Sequence, residues 1–211
     1  MMSTIATPIF GAHGTSLLDS AQRYSVKMKV AAVFALFIAG TFGACPEIVP
    51  RADWGARPPY SVSYQPLPIP YVVIHHAVSE SCYDLDTCAA LIRGMQDEHM
   101  DVNGWSDIGL NFLVGEDGRV YEGRGWQAIG SHTPGFSSIS IGVCFIGTFN
   151  DYAPYDIALD AAKLLNECGV EQGYLYPNFG LMGHRQAVST ECPGNALYDE
   201  IINWPNYVPV P

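Results

Sequence analysis

Three residues far apart in the chain have the side chains to hold a metal together: His75, His184 and Cys192. His184 lies in Gly183-His184-Arg185-Gln186, and Cys192 follows in Thr190-Glu191-Cys192-Pro193-Gly194. His75 comes near the end of the apolar run Tyr71-Val72-Val73-Ile74-His75-His76. Two imidazoles and one thiolate, with a coordination position left for water, form a catalytic zinc pattern. The His-x7-Cys spacing is not specific by itself,. The bland alternative is that His184 is an ordinary surface residue and Cys192 half of a disulfide.

Such a set needs a scaffold. The chain has 211 residues, of which 48% are hydrophobic and 12% aromatic, enough for one domain with a sizeable core,. Residues 71–76 are β-branched and almost wholly apolar, as in a central strand. Residues 86–100 carry Leu91, Ile92, Met95 and His99 at helical spacing, with Asp84 or Asp86 as cap and Gly104 beyond the end,. Two strands, 110–114 and 119–122, flank the turn Gly115-Glu116-Asp117-Gly118,. Residues 139–146 form the most apolar strand. A second helix over 154–168 places Ile157, Ala161, Leu164, Leu165 and Cys168 on one stripe, with Gly169 as terminator,. A short helix spans 195–202. The proline-rich stretch 46–70 wraps the surface with Trp54 turned into the core, and Tyr121 and Trp126 are also core residues. This alternation predicts an α/β fold, a central, mostly mixed sheet flanked by about three helices.

The N-terminus reads differently. Lys27-Met28-Lys29 precedes the apolar run Val30 to Gly40, which ends in small residues. That is the pattern of a secretory signal peptide, and the run is shorter than the roughly 20 residues of a membrane-spanning helix. The expected organisation is a leader over 1–43, with Met28 as an alternative start, and one domain over 44–211. The whole chain carries a net charge of −11. Loss of the leader removes Arg23, Lys27 and Lys29 but only one acid, Asp19, so the secreted form is more acidic still. Such a surface repels nucleic acid and gains no electrostatic help toward anionic membranes. Recognition must rest on a shaped site. The six cysteines fit an oxidising compartment,. Cys82 and Cys88 close a small loop, and Cys45 and Cys168 are placed to tie down the terminus. Cys144 reads as a buried thiol, leaving Cys192 unpaired.

Many motifs in order carry a family resemblance: Val73-Ile74-His75-His76, Gly104-Trp105-Ser106-Asp107-Ile108-Gly109, Asn111 to Gly118, Val120 to Trp126, Gly130-Ser131-His132-Thr133, Ser140 to Val143, Gly183 to Gln186 and Glu191 to Gly194. From about Cys45 to Tyr207 the chain resembles the peptidoglycan recognition proteins, which are similar to type 2 N-acetylmuramoyl-L-alanine amidases and to phage T7 lysozyme. The resemblance implies a zinc ion on His75, His184 and Cys192, a Cys82–Cys88 disulfide and, as in some members, a Cys45–Cys168 disulfide. It also implies a secreted monomer that binds bacterial peptidoglycan in innate immunity, with no stable membrane insertion. Its reaction would hydrolyse the amide between the lactyl group of N-acetylmuramic acid and L-alanine. Zinc suits that chemistry because it polarises a carbonyl and lowers the pKa of water to about 7.

The sequence departs from the family at one point. Catalytic members have a tyrosine after the Asp-Ile-Gly element, and here that position is Leu110. Leucine can neither donate a hydrogen bond nor relay a proton. Thr190 matches the other residue that the family places beside the metal, and its hydroxyl can serve the oxyanion. The alternative to an amidase is a receptor that binds peptidoglycan without cutting it. By the same resemblance His76, His99 and His132 contact muramyl peptide. Asn103, Gly104 and Trp105 complete the substrate set, with Gly104-Trp105 matching the pair associated with diaminopimelate in the peptide stem.

Overall fold

The computed structural model describes residues 45–211, so the leader assigned to residues 1–43 lies outside the described residues. Among these described residues six strands form: β1 Ile48–Val49, β2 Ile69–His76, β3 Phe112–Val114, β4 Val120–Glu122, β5 Ser140–Phe145 and β6 Leu175–Gly183. Three α-helices accompany them: α1 Leu85–Asp97, α2 Asp156–Glu171 and α3 Asn195–Ile201. The strands join one sheet in the order β1-β4-β3-β5-β2-β6. Every pairing is parallel except the β3/β4 hairpin. The sheet is therefore mixed and flanked by three helices, as expected from the sequence.

β2 and β5 are central because both of their faces are covered, which is why they read as unbroken apolar runs,. Alternate side chains serve opposite sides. Ile141, Val143 and Phe145 of β5 join Val72 and Ile74 of β2 in one cluster with α2 and α3. Cys144 turns to the other face, toward α1, with Leu113, Tyr121, Trp54 and Ile92. Trp126 packs against the first cluster, half-buried. Disulfides Cys45–Cys168 and Cys82–Cys88 fasten the start of the described chain to α2 and the approach to α1. Cys144 and Cys192 are free.

α1 starts where Asp84 accepts a hydrogen bond from the Thr87 amide at 2.9 Å, a side-chain N-cap,. It does not run to residue 100. The α-helical bonds stop at Asp97, and a π-turn, Glu98–Val102, carries His99, whose Nδ1 accepts from the Gly109 amide. Single π-turns at helix ends recur at functional sites.

α2 corrects two expectations. It continues through Gly169 to Glu171, so Gly169 is not the terminator. A Cβ at Gly169 would stand 2.6 Å from the Trp126 ring, and the glycine is there for that close approach. Ile157 and Leu164 are exposed, at 57% and 36%, and the buried stripe runs instead through Ala158, Ala161, Ala162, Leu165 and Cys168.

The sequence reading also left out β1 and β6. Pro177, Asn178 and Gly180 make β6 read as a loop,. It is an edge strand, where a proline without an N–H is tolerated, and its register against β2 shifts between Ile69 and Tyr71,. No helix among the described residues is long and apolar enough to cross a membrane.

Candidate metal centre and groove

β2 and β6 are parallel neighbours, and Ile74 is in register with Gly183. The next residue on each strand is a histidine, so the pairing itself sets His75 beside His184, with ring centroids 4.4 Å apart. Ligand sites in such sheets lie beyond the carboxyl ends of strands. The 3₁₀ turn His184–Gln186 follows, and the loop after it brings Cys192 back to the same place.

One ligand atom from each of His75, His184 and Cys192 lies within 4.8 Å of the others. His75 Nδ1 is 3.8 Å from Cys192 Sγ. A tetrahedral zinc with bonds of about 2.0 and 2.3 Å holds nitrogen and sulfur about 3.5 Å apart, close to the separation of this pair,. The far nitrogen of His75 is already engaged. Its Nε2 lies 3.1 Å from His132 Nδ1 and 3.3 Å from Thr133 Oγ1, leaving Nδ1 to the metal side. His184 Nε2 is buried without a hydrogen-bond partner.

Electrostatics point the same way. Burial, helped by the neighbouring histidines, holds His75 well below the usual imidazole range. Burial also lowers His184 and takes His132 down to about 3. The Cys192 thiol is pushed up to about 11 by burial, although the His76 amide and Arg185 pull against that shift. Without a cation the pocket therefore holds neutral imidazoles and a protonated thiol. A bound cation is what would favour the thiolate.

A groove of about 410 Å³ adjoins the centre, lined by His75, His76, Leu110, His99 and Trp105 among others. Two of its histidines have a fixed tautomer when neutral. His76 Nδ1 accepts from the Phe149 amide at 3.3 Å, and His99 Nδ1 accepts from the Gly109 amide at 3.0 Å. An amide can only donate, so each ring carries its proton on Nε2 and offers a donor. Burial lowers the pKa of both. His99 also stacks on Trp105, with centroids 4.7 Å apart.

The other expected residues fall as follows. Leu110 is buried in the groove wall. Thr190 is exposed, and its Oγ1 accepts from the Cys192 amide at 3.2 Å, which sets it beside the cysteine. Asn103 and Gly104 are exposed and outside the groove lining, unlike Trp105. His132 lines the groove but turns Nδ1 to His75 and Thr133, and its Nε2 is buried. Its ring lies on Gly142, where a Cβ would come within 2.6 Å.

Sequence reasoning missed the residues that hold these loops. Arg124 donates to the carbonyls of Asp107, Ile108 and Ile129. Asn111 donates to Gly125 and Ala128 and accepts from the Gly142 amide. The signal for Asn111 was present, since an asparagine beside an apolar strand is out of place unless its side chain is fully bonded.

The comparisons with known proteins agree with this geometry. The family profile described as N-acetylmuramoyl-L-alanine amidase matches residues 65–195. Peptidoglycan-recognition protein SA of Drosophila melanogaster is 46% identical over 167 residues, covering 79% of this chain and 82% of that protein. The structure of Drosophila PGRP-LB superposes with a TM-score of 0.76 at 44% identity, covering 77% of this chain and 96% of that one. PGRP-LE, solved in complex with tracheal cytotoxin, a monomeric diaminopimelic acid-type peptidoglycan, gives 0.75 at 44% identity, over 76% and 95%. With histidines on two neighbouring strand ends, a returning cysteine and these matches along most of its length, the chain belongs to the peptidoglycan recognition proteins of the type 2 amidase family.

Proposed function

We propose that the protein is a secreted, zinc-dependent N-acetylmuramoyl-L-alanine amidase that binds bacterial peptidoglycan in innate immunity, with residues 1–43 as its secretion leader. The observation that carries this reading is the convergence of His75, His184 and Cys192 within 4.8 Å beside a groove. These three would hold the metal. When bound, zinc would supply Lewis acidity to the scissile carbonyl and acidify a water.

The chain's own residues do the rest. His76 and His99, as fixed Nε2–H donors, bind carbonyl or carboxylate oxygens of the stem peptide,. The Trp105 ring, stacked on His99, offers an apolar face to the diaminopimelate side chain,. The known complex of PGRP-LE with a diaminopimelic acid-type ligand supports that preference. Leu91, Met95 and Leu110 form an apolar wall that excludes water from the reacting amide. Thr190 already accepts from the Cys192 amide, and its hydroxyl proton remains free to donate to the developing oxyanion,.

Leu110 favours a second reading, a receptor that binds without cleaving. The deciding assay supplies zinc and diaminopimelate-type peptidoglycan and scores new L-alanine amino termini. Product from the wild type that disappears in Cys192→Ser establishes the amidase. Binding without product makes the protein a receptor.

A further inference from the structure

The loop that delivers Cys192 exposes Ser189, Thr190, Glu191 and Asn195, and its internal bonds, the Cys192 amide to Thr190 Oγ1 and the Gly194 amide to the Glu191 carbonyl, are purely local. Ordering an exposed loop costs conformational entropy of about 1–2 kcal/mol per residue, so something outside it must fix the sulfur. The His76 amide donates to Cys192 Sγ at 3.4 Å, and Arg185 is the residue placed to hold the loop's backbone. Its amide donates to the Cys192 carbonyl at 2.9 Å, and its Nε reaches the same oxygen at 3.4 Å. One terminal nitrogen donates to the Glu191 carbonyl and the other to Asn195 Oδ1 at 2.9 Å, the first residue of α3. The guanidinium lies over the Tyr198 ring, 4.8 Å from its centroid.

This one side chain therefore spans the 3₁₀ turn, the cysteine loop and α3. It also directly follows His184. A planar fork with fixed donor directions transmits the position of its own backbone to the carbonyls it holds, as a flexible ammonium does not. We infer that Arg185 is a positioning residue that sets the separation of His184 and Cys192, and so holds two of the three metal donors in register before any metal arrives. The metal-binding part rests on the zinc reading above; the ordering of the thiol does not.

Arg185→Lys tests it, because the charge stays and the fork is lost. The first readout is the alkylation rate of Cys192 in metal-free protein, with buried Cys144 as internal control. Cys192 should react about tenfold faster while Cys144 stays protected, the mark of local loosening without unfolding. The second readout is zinc affinity by chelator competition, expected to fall about 10-fold to 100-fold, as when supporting partners of a ligand are removed. If Cys192 reacts at the wild-type rate while Cys144 is protected, the inference is overturned; so it is if zinc affinity is unchanged in a wild type that binds zinc. A wild type that binds no zinc sinks the metal reading alone, and the alkylation rate still decides whether Arg185 orders the thiol. Should Arg185→Lys expose Cys144, Asn195→Ala, which removes only the anchor on α3, is judged by the same two readouts.

Discussion

The two faces of the sheet are built to different rules. The face under α2 and α3 is mostly apolar, with Leu165, Ile141, Phe145, Phe112 and Leu181 buried against one another and Asn166 and His76 as its buried polar residues. The opposite face carries α1 and a smaller cluster, and close by it the buried polar residues Asp107, Gln96, Asn111, His75 and Thr133. The first face contributes chiefly stability, with His76 at its edge the residue that reaches the groove. The second spends part of its area on polar groups that must each be bonded: Arg51 and Gln96 hold the Asp107 carboxylate, and Asn111 donates to the carbonyls of Gly125 and Ala128,. Fold and chemistry are thereby separable, and substitutions on the two faces should fail differently.

The largest expected effect on the closed face is that of Leu165→Ala. Leu165 is fully buried, and the truncation should cost about 2–5 kcal/mol in denaturant unfolding,. Product formed per folded molecule and zinc affinity should stay at wild-type values. A variant that lost activity in proportion to stability would show that the faces are coupled after all.

The opposite result is expected from Leu110→Tyr on the site face. Leu110 borders a groove of about 410 Å³, so a larger ring has space to enter. An oriented donor at an oxyanion is typically worth about 10²-fold to 10³-fold in rate, or 2.7–4 kcal/mol, and the amidase rate should rise toward that range with little change in stability. An unchanged rate would mean that this position does not hold the missing donor.

The faces also differed in how well the sequence revealed them. The apolar strands and the order of elements were readable because a covered strand needs an unbroken apolar run, as in Tyr71 to Ile74 and Ile141 to Phe145,. β6 was hidden because Pro177 and Gly180 mimic a loop and only the edge position makes them acceptable,. Gly169 was misread for a related reason, since its role depends on a tryptophan forty-odd positions away that no local pattern reports. At the site, residue types pointed to His75, His184 and Cys192, whereas Arg124, Thr133 and Arg185 act through carbonyls and ring nitrogens that only the folded chain brings near. Donor chemistry shows in a sequence; the groups that aim the donors mostly do not.

The smallest expected effect concerns the start of α1, the helix that supplies Leu91 and Met95 to the groove. The Asp84 carboxylate accepts from the Thr87 amide, which with the Thr87 hydroxyl holds its pKa below the usual carboxylate range. A carboxyl whose folded pKa is depressed contributes stability above its unfolded pKa and loses that contribution as pH falls through the folded one. Asp84→Ala should therefore lower the melting temperature slightly at neutral pH, and the gap from wild type should close in strong acid, where both lack a charged cap. Because the cap is exposed and its carboxylate bonds to Thr87 rather than to any ligand, zinc affinity should not move. A gap that persisted unchanged into strong acid would assign the loss to the hydrogen bond that the neutral carboxyl still accepts from the Thr87 amide rather than to the charge of the cap,.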